Sequence, residues 1–192
     1  MESPALIVLV GPPGTGKSHL ARQIVAVLDA RLIQTDAVRK QLFPDPRYTA
    51  PEMRSVYAAC RRRISAALAA AELVIFDATN LRERSRASLY RLADRHRAGL
   101  IVLVAYAPPK VIRQRLARRH RKPDPADLSD ADWDVYERMA KTAEPVARPH
   151  IVANTCVSPA PLLRLLKRLL AAQWSRTGST AEDTEGRRGE RQ

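Results

Sequence analysis

Near the amino terminus, Gly11-Pro12-Pro13-Gly14-Thr15-Gly16-Lys17-Ser18 places glycines, a lysine and a hydroxyl in the spacing G-x-x-x-x-G-K-[ST]. Glycines let a chain turn tightly, so that successive N–H groups point into one anion-binding concavity, and a following helix N-terminus adds to the positive field there. A lysine in the position of Lys17 reaches the β- and γ-phosphates of a nucleotide, and the Ser18 hydroxyl is a ligand for magnesium. At ordinary residue frequencies four specified positions match by accident in a chain this long at roughly the one-percent level, before any demand on the flanking elements. These residues therefore predict binding of ATP with Mg2+ through Gly11 to Ser18.

Two carboxylates can complete such a site. Leu73-Val-Ile-Phe76 is an apolar run leading into Asp77, the Walker B arrangement that holds magnesium; the other reading of Asp77 is a cap for the helix that follows. Its neighbour is Ala78, whereas an ATPase that activates water usually carries a glutamate there, so a transferase is favoured over a motor. Ile33-Gln34-Thr35-Asp36 ends a second apolar run, and Asp36 there can accept the proton of an attacking hydroxyl, with helix capping as its alternative. Arg39, one helical turn on, can hold an anionic group of the acceptor.

The elements that must position these groups are legible in outline. Residues 5–10 form a continuous apolar run bounded by the Gly/Pro turn, as expected of a strand buried on both faces of a parallel sheet, and 17–28 follow with helical spacing. Further strands are expected at 31–34, 73–76, 100–106 and 150–153, separated by helical patterns, with a helix at about 52–71 carrying Arg61-Arg62-Arg63. This alternation predicts an α/β fold of the P-loop NTPase type, a five-stranded parallel sheet with helices on both faces. Residues 110–122 pack Arg113, Arg115, Arg118, Arg119, Arg121 and Lys122 into one helical stretch. A Pro- and Asp-rich turn follows, and Ser129 or Asp130 is placed to cap a helix running to about 143, so 110–144 is read as an Arg-rich helical lid. Residues 161–174 close the domain as an amphipathic helix, giving one domain over 1–174, and the polar composition of 175–192 predicts disorder.

Bulk properties narrow the class. A chain of 192 residues, 45% hydrophobic, is sized for one α/β core. Cys60 and Cys156 have neither disulfide-framework nor zinc-ligand spacing, and the apolar run at 5–10 is too short for a signal peptide or membrane span, so the expectation is a cytoplasmic protein with no membrane role. The formal net charge of +13 is compatible with a nucleic-acid partner and equally with arginines on solvated helix faces. Asp130, Asp132 and Asp134 alternate as in a calcium loop, but Val135 and Lys141 stand where glycine and glutamate are needed. His19, His96, His120 and His150 share no spacing.

The phosphate loop, Thr35-Asp36-Ala37-Val38-Arg39, Asp77-Ala-Thr-Asn80-Leu81-Arg82 and the Arg-rich lid together resemble the polynucleotide-kinase and zeta-toxin group of P-loop kinases over about residues 6–152. Tyr48-Thr-Ala-Pro-Glu-Met53 and Ser129-Asp-Ala-Asp132 look closest to bacterial "AAA family ATPase" kinase domains, some of them fused to aminoglycoside-phosphotransferase-like domains. The resemblance implies that Asp36 is the general base, that Arg39 contacts the acceptor, and that a lid arginine, among Arg115, Arg118 and Arg119, stabilises the transferring phosphoryl group. It also implies that Asn80 and Arg82 face the acceptor pocket, a helix-start role being the alternative. The expected function is transfer of the ATP γ-phosphoryl group to a hydroxyl of a small molecule or a nucleic-acid 5′ end, with Lys17 assisting; the alternative is an ATP-dependent switch that phosphorylates no acceptor. No obligate protein partner is evident in the sequence.

Overall fold

A computed structural model describes residues 3–121 and 129–185 of the chain. Five parallel strands, β1 (Ala5–Val10), β2 (Arg31–Gln34), β3 (Leu73–Asp77), β4 (Gly99–Tyr106) and β5 (Ile151–Asn154), form one sheet in the order β2-β3-β1-β4-β5. The helices are α1 (Lys17–Val25), α2 (Thr35–Leu42), α3 (Ala50–Ala69), α4 (Glu83–Arg95), α5 (Pro109–Arg121), α6 (Trp133–Lys141) and α7 (Ala160–Glu185).

Strand β1 is buried along its whole length because it lies between β3 and β4 and is covered on both faces. Strand side chains alternate between faces, and the core divides accordingly. Leu6, Val8 and Val10 join Val74 and Phe76 against Val56, Ile64 and Leu68 of α3 and Leu89 of α4. Ala5, Ile7 and Leu9 join Ile75 and Leu103 against Leu20 and Ile24 of α1 and Leu166 and Leu170 of α7. A smaller cluster, Ala107, Ile112 and Leu116 with Trp133 and Tyr136, packs α5 onto α6 and gives the lid an apolar seam of its own.

Element boundaries differ from the sequence expectation where side chains find other partners. Helix α6 starts at Trp133, with Asp132 as cap accepting from the Val135 N–H at 2.9 Å; Asp130 does not cap it and instead accepts from the Tyr48 hydroxyl at 2.6 Å. Helix α7 continues through 175–185, where composition predicts disorder: no proline follows Pro161 within it, so nothing forces the helix to stop. Lys122 and residues 186–192 lie outside the described residues.

Parallel strands deliver their carboxyl ends to one edge of the sheet. That edge carries the glycine loop after β1, α2 after β2, Asp77 at the end of β3 and Thr155 after β5.

Candidate functional site

The glycine loop connects β1 to α1 with Gly11, Gly14 and Gly16 all at positive φ (148°, 77° and 89°). Close approach as well as conformation excludes a side chain: a Cβ on Gly14 would lie 2.8 Å from Ile112 of α5. The Gly11 N–H donates to the Thr79 carbonyl at 3.0 Å, which ties the loop to the segment leaving β3. The Thr15 hydroxyl and Lys17 Nζ both donate to the Pro12 carbonyl, at 2.8 and 2.9 Å, so the lysine is held across the loop. Burial holds the Lys17 ammonium below its ordinary pKa, while the nearby Asp77 and Asp36 carboxylates oppose that shift. A phosphate brought into this concavity would add further negative charge and favour the ammonium form.

Asp77 stands in register with Gln34, whose side-chain amide donates to Asp77 Oδ2 at 2.9 Å. It terminates β3, and the N-cap of α4 is Arg82, so the capping alternative for Asp77 does not hold. Ser18 lies on the wall of the same cleft as Asp77. Among the described residues no three His, Cys, Asp or Glu side chains gather as a metal cage. A hydroxyl, one carboxylate and substrate phosphates are the ligand set magnesium ordinarily takes beside a nucleotide, and the Ser18 and Asp77 pairing fits it.

Asp36 is the second residue of α2; Gln34 holds the N-cap position without a side-chain cap bond, so Asp36 is not a cap either. Burial raises the Asp36 pKa, the Asp77 carboxylate raises it further, and Arg39 and Lys17 pull the other way. A carboxylate whose pKa is raised in this way is, when ionised, a stronger base than an ordinary exposed one.

A cavity of about 810 Å3 brings these groups together with the lid: Gly14, Gly16, Lys17, Ser18, Asp36, Asp77 and Arg115, Arg118 and Arg119 all line it. The three lid arginines are not equivalent. Arg115 is braced, donating to the Thr155 hydroxyl and carbonyl at 2.9 Å each and to the Gly14 carbonyl at 3.4 Å. Arg119 reaches the Ala131 carbonyl at 3.4 Å, and Arg118 is exposed on the cleft wall.

Of the three expected acceptor residues, one lines the cleft and two do not. Arg39 does line the cleft, but Glu52 of α3 takes its Nη1 in a buried salt bridge at 2.7 Å, and its guanidinium stacks over the Tyr48 ring at 4.6 Å. Asn80 is buried behind the site at positive φ, its amide donating to the Leu9 carbonyl at 2.7 Å, so it fastens β1 to the post-β3 loop and does not line the cleft. Arg82 pairs with Glu144 at 3.0 Å on the surface, also away from the cleft.

Other lining residues were not anticipated. Thr155 receives Arg115 and donates to the Thr15 carbonyl at 2.7 Å, joining β5 to the phosphate loop; its place just beyond a strand at the carboxyl edge was the available signal. Tyr48, Met53, Tyr57 and Met139 supply apolar walls. A second cavity of about 260 Å3 shares Gly16, His19 and Thr155 with the first and extends to Val157 and Leu162.

Comparison with known proteins follows this geometry. A model of the AAA_33 family, described as an AAA domain, matches residues 6–146. The chain belongs to that family. An uncharacterized protein of Mycobacterium tuberculosis is 28% identical over 163 residues, a match covering 74% of this chain and 32% of that protein. The chain thus spans about a third of the length of the curated relatives it matches. Among solved structures, Kti12 of Chaetomium thermophilum in complex with ADP-AlF3 superposes with a TM-score of 0.70 at 21% identity, covering 88% of this chain and 97% of that one. A gluconokinase from Sinorhizobium meliloti gives 0.62 at 21% identity, covering 94% and 99%. The Mycobacterium tuberculosis APS kinase CysC, complexed with AMPPNP and APS, gives 0.63 at 16% identity, covering 89% and 99%. The domain therefore has the P-loop kinase fold. No helix among the described residues is long and apolar enough to cross a membrane.

Proposed function

We propose that this AAA_33 domain is an ATP- and Mg2+-dependent phosphotransferase acting on a hydroxyl acceptor. The observation that carries the proposal is the cleft in which a phosphate loop, a carboxyl with raised pKa and lid arginines face one another. The backbone N–H groups of the loop and Lys17 bind the phosphates, and Ser18 and Asp77 hold magnesium. Magnesium, when bound, neutralises charge between the β- and γ-phosphates.

Asp36 accepts the acceptor proton as the hydroxyl oxygen bonds to the γ-phosphorus and the bond from that phosphorus to the β–γ bridging oxygen breaks, leaving ADP. Of the arginines, Arg119 and Arg118 are the better placed to meet charge developing on the γ-phosphoryl oxygens, because Arg115 is committed to Thr155 and Gly14 as a brace. Ala78 beside Asp77 offers no base to activate water.

The test is transfer of label from γ-labelled ATP to a panel of nucleosides, sugars, aminoglycosides and 5′-hydroxyl oligonucleotides, with Asp36→Asn as control. The reading requires label on an acceptor, lowered about 10²–10⁴-fold in Asp36→Asn while nucleotide binding is retained. Nucleotide binding with hydrolysis indifferent to Asp36→Asn and no labelled acceptor would instead indicate a nucleotide-dependent switch.

A further inference from the structure

The cleft is electrostatically two-sided. Lys17, Arg115, Arg118 and Arg119 gather where the phosphates are expected. On the opposite wall, α2 and α3 bring Arg39, Glu52, Tyr48 and Asp36 together, and Asp130 joins them through its hydrogen bond to Tyr48. The cation on that wall is already spent. Arg39 and Glu52 are 3% and 6% exposed and 2.7 Å apart, and Glu52 is itself fixed by the Arg47 N–H at 2.9 Å. An anionic ligand would have to compete with a carboxylate that the fold holds in place. Asp36 and Asp130 take part in no salt bridge among the described residues, so each adds unpaired negative charge to the wall when ionised.

The remaining surface is apolar. Met53 and Tyr57 of α3 face the cleft from one side, and Val135 and Met139 of α6 close it from the other. Arg39 Nη2 donates to the Met53 sulfur at 2.9 Å, and the buried Arg39 Nε has no hydrogen-bond partner. The Arg39 guanidinium therefore has its charge already balanced by Glu52. Arg138 also lines the cavity and, like Asp130, is exposed to solvent.

Resting on the phosphotransferase reading, we infer that the acceptor is a small uncharged hydroxyl compound with an apolar face, selected against anionic acceptors by the Arg39–Glu52 pair and the Asp36 and Asp130 carboxylates. A nucleic-acid 5′ end, which brings a phosphate beside its hydroxyl, is the acceptor this wall disfavours. The net basic charge of the chain lies elsewhere, as in the exposed Arg62 and Arg63 of α3.

The test is calorimetric binding to the full chain loaded with Mg2+ and AMPPNP, so that no turnover is needed. Two pairs of probes differ by an anionic group: thymidine against thymidine 3′-monophosphate, and glucose against gluconate. The uncharged member of at least one pair should bind about tenfold tighter than its anionic partner or better. Asp130→Asn, at an exposed position, should narrow that ratio about threefold, and Glu52→Gln, which releases the Arg39 charge, should narrow it further if the variant folds. Equal or tighter binding of the anionic member, no binding of either uncharged probe, or a ratio unmoved by Asp130→Asn would overturn the inference. Failure of the phosphotransferase reading shows separately, as selective binding without label transfer when ATP replaces AMPPNP.

Discussion

The phosphate side and the acceptor side of the cleft are built in opposite ways. On the phosphate side, consecutive residues from Gly11 to Ser18 make the site, and its internal bonds, Thr15 and Lys17 to the Pro12 carbonyl, span three and five positions. On the acceptor side the contacts cross the chain: Arg39 to Glu52 and Tyr48 to Asp130. A local motif can be carried intact between proteins, whereas a wall assembled from α2, α3 and α6 changes whenever any one of them shifts. Under the proposed function, nucleotide binding would be the constant part of such a site and acceptor choice the adjustable part.

The contrast breaks most severely at Arg86. Fully buried, it donates to the Asn80 carbonyl at 2.9 Å and to the Glu144 and Pro145 carbonyls at 3.1 and 2.6 Å, and it pairs with Glu83. One side chain therefore pins the loop after Asp77 to the segment leaving α6. Arg86→Met should lower the unfolding free energy by about 3–5 kcal/mol in urea titrations, because the buried carbonyls and Glu83 lose their donor.

Lys17→Ala is the local counterpart. Phosphoryl transfer should fall about 10²–10³-fold. The urea midpoint should hold or rise, since a desolvated ammonium is removed.

A pH experiment separates Asp36 from both. Burial raises its pKa, so the native state holds that proton more tightly than the unfolded chain does. Asp36 therefore favours folding at pH below the ordinary carboxylate value, and that contribution is lost as pH rises through the raised native pKa. Asp36→Asn should accordingly stabilise the nucleotide-free protein at pH 7, with the difference shrinking on acidification. Transfer by the wild-type protein should fall as pH drops through the same raised value, and the residual activity of Asp36→Asn should lack that limb.

The smallest effect is expected at Arg82, paired with Glu144 at a surface where both side chains are more than 40% exposed. Arg82→Ala should change stability by less than about 0.5 kcal/mol and leave label transfer within about twofold. A large loss of transfer would return Arg82 to the acceptor site, where the family resemblance had put it.

Legibility in the sequence follows the same division. Strand β1 runs as the apolar pattern predicts, because a strand buried on both faces admits little else. The cap of α6 moved from Ser129 or Asp130 to Asp132, since Tyr48, 82 positions away, engages Asp130. The pairing of Arg39 with Glu52, and the Asn80 amide on the Leu9 carbonyl behind the cleft, could not be read from spacing. Each discrepancy is a contact between residues distant in sequence, which spacing and periodicity do not encode.

By itself the sequence determined the parallel α/β fold, the phosphate loop and the convergence of Asp36 and Asp77 at one edge, because a strand followed by a glycine turn and a helix is a local instruction. Only the tertiary structure decided which arginines are braces, which carboxylate cancels Arg39, and what kind of surface the acceptor meets. Those are matters of desolvation and charge pairing, and both are set by which neighbours the folded chain brings within a few ångströms.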